Sequence, residues 1–188
     1  IEMLQDMVLT AVNDALEKDI NLQIAKKLQE ELESRGISVL MTREEDKGLY
    51  DEDADNKQVQ DLKRRVELIN ETAPALAVSI HQNSYPSPDV SGSQIFYFKH
   101  SKEGEEMANT VQKQIENLEG IKNRPIKGND TYYLLRRTEV PTMIIECGFL
   151  SNQEEATRLA EESYQETLAK AIADGIEECL RSAGSEND

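Results

Sequence analysis

The chain has 188 residues, and its 37 acidic side chains outnumber its 21 basic ones, giving a formal net charge of -16 at pH 7. This acidity argues against a protein that binds nucleic acid through phosphates, and against attachment to anionic lipid through a polybasic segment. The length suits one domain, residues 1–188, whose core needs no disulfide or structural metal to fold. No stretch of about 18 apolar residues occurs, so no transmembrane helix is predicted.

The first predicted element is a helix over residues 19–35, where apolar side chains recur at every fourth position. Asp19 suits its N-cap, and Gly36 suits the position after its end. A strand is predicted over residues 37–42, and the acidic stretch 44–56 is predicted to be a loop.

Helix-like and strand-like segments alternate through the rest of the chain. This alternation predicts an α/β domain with a single three-layer architecture, in which a mostly parallel central sheet is flanked by helices. The remaining predicted elements are a helix over 59–69, strands over 76–80 and 93–98, a helix over 107–118, a short strand over 132–135, a strand over 142–145, a helix over 168–180 and a frayed tail over 182–188, with polar loops over 85–92 and 120–131.

Two apolar strands each end at a reactive side chain. Residues 76–80 lead into His81, and residues 142–145 lead into Glu146. Such runs are typical of parallel strands buried on both faces, and ligands bind beyond the carboxyl ends of these strands, so we expect both side chains at one crevice. The apolar residues before Glu146 disfavour its charged form, which suits a carboxylate that accepts and returns a proton. His81 alone could instead be structural, bonded to a neighbouring carbonyl.

Zinc gives a chemical reason for an imidazole and a carboxylate to share a crevice. Bound Zn²⁺ lowers the pKa of water to about 7 and takes three protein ligands at catalytic sites. Glu17 is the candidate carboxylate ligand, and the alternative is an ordinary first-turn acid favoured by the helix dipole. Cys147 is expected to be a small buried hydrophobe, and its alternative role is a nucleophile with His81 as base.

Four short segments carry the most specific pattern in the chain. They are Glu-Lys-Asp-Ile-Asn-Leu at 17–22, Thr-Arg at 42–43, Ser-Ile-His-Gln-Asn at 79–83 and Glu-Cys-Gly-Phe-Leu-Ser-Asn at 146–152. In this order and spacing they resemble the zinc-dependent N-acetylmuramoyl-L-alanine amidases of the Amidase_3 type, and the resemblance extends from Ala11 to Leu180. Within that family, residues 91–98 and 138–141 look closest to the sporulation amidases of the spore cortex.

The resemblance implies that Glu17 and His81 bind one zinc ion and that Glu146 is the catalytic carboxylate. The implied reaction is hydrolysis of the amide between N-acetylmuramic acid and the L-alanine of the peptidoglycan stem peptide, outside the cytoplasm, in spore cortex maturation. Asn83 and Arg136 are the expected substrate contacts. The guanidinium of Arg136 suits a substrate carboxylate. Surface ion pairing is the alternative for Arg136.

One zinc ligand of the family is missing from this sequence. The family pattern begins with a strand and a Gly-His-Gly-Gly turn whose histidine is the first ligand, and no such turn occurs here. The second of the two histidines, His100, is expected at the surface. We expect roughly ten to twenty residues to be absent between Thr10 and Ala11 relative to the family, where a glycine-rich loop would stand.

An incomplete ligand set leaves other functions open. Two protein ligands hold zinc less well than three, so the zinc ion could be absent. The chain could then be a metal-poor amidase domain that binds peptidoglycan or a partner protein, including a regulatory partner that completes the site. A further alternative is an unrelated α/β domain in which His81 and Glu146 are structural.

Overall fold

The computed structural model describes residues 19–45, 47–122 and 124–185. Glu17, the junction between Thr10 and Ala11, and the last three residues of the predicted tail lie outside these ranges. In chain order the elements are α1 (helical at 19–34), α2 (Lys57–Thr72), β1 (Ala77–Asn83), β2 (Gln94–Phe98), α3 (Lys102–Glu116), β3 (Lys127–Asn129), α4 (Tyr133–Arg137), β4 (Thr142–Phe149), α5 (Gln153–Leu159) and α6 (Glu162–Ser185).

The four strands form one sheet in the order β1-β4-β2-β3. β1 pairs with β4 in parallel and β2 pairs with β3 in parallel, whereas β2 and β4 are antiparallel. The mostly parallel pairing that the sequence predicts is confirmed. The carboxyl ends of β1 and β4 therefore meet the amino end of β2 at one edge of the sheet, and this edge carries the candidate site.

Helices cover both faces of the sheet, which confirms the single three-layer α/β architecture. One face packs against α1, α3 and α6, and the other packs against α2 and α4. The buried side chains of the first face include Ile24, Val111, Ile145 and Ile172, and those of the second face are Val66, Phe96, Leu134, Leu135 and Ile144.

Residues 37–42 differ from the strand that the sequence predicts. Their burial alternates as in a strand, with Ile37 and Val39 packed against the core and Leu40 59% exposed. A strand also needs a hydrogen-bonded neighbour, and within the described ranges this segment belongs to no ladder. A cavity of about 790 Å³, lined by this segment and by β1, occupies the space beside it.

Other elements also depart from the sequence prediction, among them the helix α5, for which no element is predicted. The segment 132–135 is not a strand, because α4 runs from Tyr133 to Arg137. The predicted loop over 120–131 contains the short strand β3. α6 continues to Ser185, into the segment predicted as a frayed tail.

Candidate active site at the carboxyl ends of β1 and β4

Three side chains form one row across the sheet at its open edge. His81 of β1 is paired with Glu146 of β4, and Glu146 is paired on its other side with Gln94 of β2. Neighbouring strands lie about 4.8 Å apart, and paired residues point to the same face. The row therefore brings an imidazole, a carboxylate and an amide side by side on the face that packs against α2 and α4.

The row borders the cavity of about 790 Å³. His81 and Glu146 are both half-buried and line it, as do Tyr132 and Tyr133 at the start of α4. Nε2 of His81 lies 2.9 Å from Oγ of Ser79, two residues earlier on the same face of β1. This contact fixes the orientation of the imidazole ring against its own strand.

Gln94 was not recognised as a site residue from the sequence. Its side chain is buried, and its Nε2 donates a hydrogen bond of 2.8 Å to the carbonyl of Pro125. No local motif indicates its role, because its place beside Glu146 depends on an antiparallel pairing that brings residues far apart in sequence together.

A charged network braces the wall of the cavity between α2 and the segment before it. Arg65 donates to Asp61 at 2.6 Å and to Oγ1 of Thr42 at 2.7 Å, while Asp61 accepts the backbone N–H of Leu49 at 2.6 Å. Burial alone would raise the pKa of Asp61, but the bonds from Arg65 and Leu49, with the charge of Arg43, hold it below its usual value. Asp61 is therefore an ionised anchor for the loop after residue 42.

The two expected substrate contacts lie at different places. Asn83 is half-buried just beyond His81, after a register shift in β1, and its Oδ1 accepts the backbone N–H of Ser84. Arg136 is exposed on α4 and does not line the cavity that His81 and Glu146 share. Their contact with substrate stays a prediction.

His100 lies away from the row. It follows β2, which runs antiparallel to β4, so it lies at the opposite edge of the sheet from Glu146. Its side chain is exposed and its ring packs edge-on against Phe98, with ring centroids 5.3 Å apart. The expectation of a surface histidine is confirmed, and His81 is the one imidazole that the described part of the chain brings to the crevice.

The described residues fit a zinc ion only in part. A catalytic zinc takes three protein ligands, whereas no group of three or more His, Cys, Asp or Glu side chains able to hold a metal occurs within the described ranges. Glu17, the other candidate ligand, is outside them. His81 with its neighbouring carboxylate therefore does not form a complete zinc site on its own.

Cys147 is the buried hydrophobe that the sequence predicts. It is 2% exposed, and since neighbouring strand residues point to opposite faces, its side chain leaves the sheet on the side away from Glu146 and His81. Burial raises the pKa of the Cys147 thiol to about 12. A thiol that is protonated at neutral pH and faces away from its candidate base does not support a nucleophilic role.

Comparison with known proteins gives consistent results. A family profile described as N-acetylmuramoyl-L-alanine amidase matches residues 9–178. The germination-specific N-acetylmuramoyl-L-alanine amidase of Bacillus subtilis is 39% identical over 165 residues, covering 86% of this chain and 69% of that protein. The probable cell wall amidase LytH of Staphylococcus aureus is 29% identical over 162 residues, covering 86% of this chain and 49% of that protein.

A solved structure is similar over nearly the whole described fold. The CwlD amidase from Clostridioides difficile, in complex with the GerS lipoprotein, superposes with a TM-score of 0.84 and is 39% identical. The match covers 88% of this chain and 87% of that one.

Proposed function

The chain belongs to the N-acetylmuramoyl-L-alanine amidase family, and from this membership we propose that Glu146 is the catalytic carboxylate of its amidase reaction. The reaction hydrolyses the amide between N-acetylmuramic acid and the L-alanine of the stem peptide. The observation that carries the assignment is the direct pairing of Glu146 with His81 at the open end of two parallel strands, beside a large cavity. This is where catalytic groups of open α/β sheets lie.

The role of Glu146 follows from the needs of amide hydrolysis. A water oxygen forms a bond to the lactyl carbonyl carbon, and the bond from that carbon to the alanine nitrogen breaks. Glu146 takes a proton from the attacking water and returns it to the departing nitrogen, so that a carboxylic acid and an amine are released. The half-buried position of Glu146 keeps this carboxylate within reach of the cavity.

Zinc dependence is general in this family. We assign His81 and Glu17 as two of the protein ligands of one zinc ion. The support for His81 is its place beside Glu146, and the support for Glu17 is its match to the family motif. The zinc content of purified His81→Ala and Glu17→Ala variants, measured by elemental analysis against the unaltered chain, tests both assignments without reference to activity.

The biological setting that we propose is the spore cortex, outside the cytoplasm. The support is the 39% identity to the germination-specific amidase of Bacillus subtilis and the peptidoglycan nature of the substrate. Within the described ranges no helix has the length and hydrophobicity needed to span a bilayer. The setting is tested by following spore germination in a strain that produces only the Glu146→Gln protein.

The comparison also supports a protein partner for this chain. The similar CwlD structure is a complex with the GerS lipoprotein, and we propose that this chain also binds a regulatory protein that stabilises its zinc site. Zinc affinity measured with and without candidate partners tests this, and an unchanged affinity with every candidate would contradict it.

The experiment for the proposed function uses the full chain, supplied with zinc, on isolated peptidoglycan. Mass spectrometry should find released stem peptides with a free L-alanine amine. It should also find glycan strands whose N-acetylmuramic acid no longer carries a stem peptide. Absence of this cleavage would contradict the proposal.

A second candidate function has one observation in its favour. His81 and His100 are the only two histidines of the chain, and His100 lies at the opposite edge of the sheet. A domain with one imidazole at its crevice could bind peptidoglycan without cleaving it. Cosedimentation with peptidoglycan that remains intact would favour this binding function.

A further inference from the structure

Glu155 connects two backbone segments at the candidate active site. Its Oε1 accepts the backbone N–H of Gly92 at 2.8 Å, and its Oε2 accepts the backbone N–H of Phe149, also at 2.8 Å. Gly92 lies in the loop before β2, and Phe149 is the last residue of β4. One half-buried carboxylate therefore fastens the loop before β2 to the end of β4.

These two attachment points bracket the row that carries Glu146. Gly92 lies two residues before Gln94, and Phe149 lies three residues after Glu146. Gln94 and Glu146 are paired with each other. The carboxylate of Glu155 thus links β4 to the segment before β2 at the edge of the sheet where Glu146 lies. We call its two hydrogen bonds, to Gly92 and Phe149, the Glu155 clamp.

The backbone on both sides of the clamp is built for close approach. Gly92 has a φ of +108°, and a Cβ there would lie 2.5 Å from the carbonyl oxygen of Lys122. A Cβ on Gly148, the residue before Phe149, would lie 3.3 Å from Oε2 of Glu155. Glycine at these positions lets the backbone segments reach the carboxylate.

Glu155 itself is held firmly. Asn152 caps α5 by accepting the backbone N–H of Glu155 at 3.0 Å, and its own Nδ2 donates to the carbonyl of Pro88 at 2.8 Å. The amino end of a helix also favours a negative charge. Beside the clamp, Arg124 donates to the carbonyl of Ser91 and stacks over the ring of Phe149 at 5.3 Å.

We propose that Glu155 is a positioning residue for Glu146, an inference that rests on the catalytic role assigned to Glu146 above. An ionised carboxylate is the side chain that accepts from two N–H groups at once, and such charge-assisted bonds are stronger than neutral ones. The Glu155 clamp fixes the end of β4 relative to the start of β2, and with it the position of the Glu146 carboxylate against the bound amide. Glu155 does not touch the reacting atoms.

Glu155→Gln is the test variant. Glutamine has the same size as glutamate, but one carboxylate oxygen is replaced by an NH₂ group. This NH₂ group is a donor and cannot accept a backbone N–H, so one hydrogen bond of the clamp is lost. We expect kcat to fall about ten- to a hundredfold with KM unchanged, because a displacement of about 1 Å can cost about a hundredfold in rate. Assays are run below the melting temperature of every variant.

Glu154→Gln is the matched control. Glu154 is the preceding residue, its side chain is 84% exposed, and it makes one surface ion pair, to Arg158 at 3.2 Å. The Glu154→Gln variant removes one negative charge from the same turn of α5 and leaves both hydrogen bonds of the Glu155 clamp in place. We expect this variant to keep the kcat of the unaltered chain.

A second readout does not depend on activity. The carboxyl ¹³C signal of Glu146, recorded at fixed pH, should shift in Glu155→Gln and stay in place in Glu154→Gln. Should Glu155→Gln fail to fold, Gly148→Ala replaces it, because the added methyl would lie 3.3 Å from Oε2 of Glu155, and 3.1 Å from Cδ1 of Leu159, while leaving the charge of Glu155 intact.

The outcomes separate the two hypotheses. A Glu155→Gln protein with normal kcat and an unmoved Glu146 signal overturns the positioning role, even if its melting temperature falls. If the unaltered chain does not cleave peptidoglycan, the proposed function fails, and the Glu146 signal still decides whether the clamp sets the position of this carboxylate.

Discussion

His81 and Glu146 are direct partners in the parallel ladder between β1 and β4. Their relative position is therefore set by backbone hydrogen bonds of a sheet that is covered on both faces, and not by a loop. Groups on strands are held more precisely than groups on loops. The sheet therefore holds the imidazole of His81 and the carboxylate of Glu146 at a fixed separation before substrate binds. Neither strand has to move to bring the two groups together.

The two histidines of the chain provide a matched pair for the zinc assignment. We expect His81→Ala to lose bound zinc, because it removes the imidazole at the crevice, and His100→Ala to keep it, because His100 is exposed at the opposite edge. Elemental analysis of both purified variants measures this. Full zinc occupancy in His81→Ala would refute the ligand role.

Asp61 should make stability depend on pH. The folded-state pKa of Asp61 lies below its ordinary value of 3.8, so its contribution to stability is full above that value and is lost as the pH falls through the folded pKa. We expect Asp61→Asn to lower the melting temperature by a few degrees at about pH 6. The gap should narrow progressively as the pH falls below 3.8 towards the lower folded-state pKa. Asp53→Asn, an exposed residue in the same acidic loop, should show no such gap.

The two cysteines should be inert in the folded protein. Both are buried, and burial raises the pKa of both thiols, to about 12 for Cys147. Since the thiolate is the reactive form, we expect neither to be labelled by a thiol reagent at about pH 8 until the chain is unfolded. Rapid labelling of Cys147 in the native protein would revive a nucleophilic role.

Arg136 is the predicted partner of a substrate carboxylate. It is exposed on α4 beside the tyrosines of the cavity wall, and a charged hydrogen bond is worth about 1.5–3 kcal/mol. We expect Arg136→Ala to raise KM roughly tenfold or more with little change in kcat. Arg181→Ala, on the exposed end of α6, is the control; an unchanged KM in Arg136→Ala would leave surface ion pairing as its role.

The sequence was sufficient to predict the two strands that carry the site. The apolar runs before His81 and Glu146 become β1 and β4, as continuous apolar runs of this length favour strands in a sheet that is covered on both faces. β4 is buried along most of its length, whereas β1 is mostly half-buried. Their meeting could be expected because carboxyl ends of parallel strands share one edge. The ladder pairing that makes them direct neighbours depends on register, which no local pattern encodes.

The helix α4 shows why other predictions failed. Leu134 and Leu135 suggest a strand, but a strand would point them to opposite faces, whereas both join the same buried cluster. Oδ1 of Asn129 accepts the backbone N–H groups of Thr131 and Tyr132, and this turn directs the chain into α4. The local turn at Asn129 and the burial of both leucines in one cluster together outweigh the strand-like residue pattern here.

The Glu155 clamp was missed for a different reason. Asn152 and Glu155 have the spacing of a helix capping motif, and the cap is present. The sequence gives no indication that the carboxylate then reaches Gly92, which is 63 positions away. A contact between residues so far apart in sequence depends on the three-dimensional arrangement of the loops around the sheet, which the local sequence does not determine.

We propose that Glu146 performs the proton transfer and does not hold the metal. The most direct measurement is zinc content and amide cleavage on the same sample of Glu146→Gln. We predict that the variant binds as much zinc as the unaltered chain and releases no stem peptide from peptidoglycan. Loss of zinc, or cleavage at the normal rate with zinc retained, would contradict this role of Glu146.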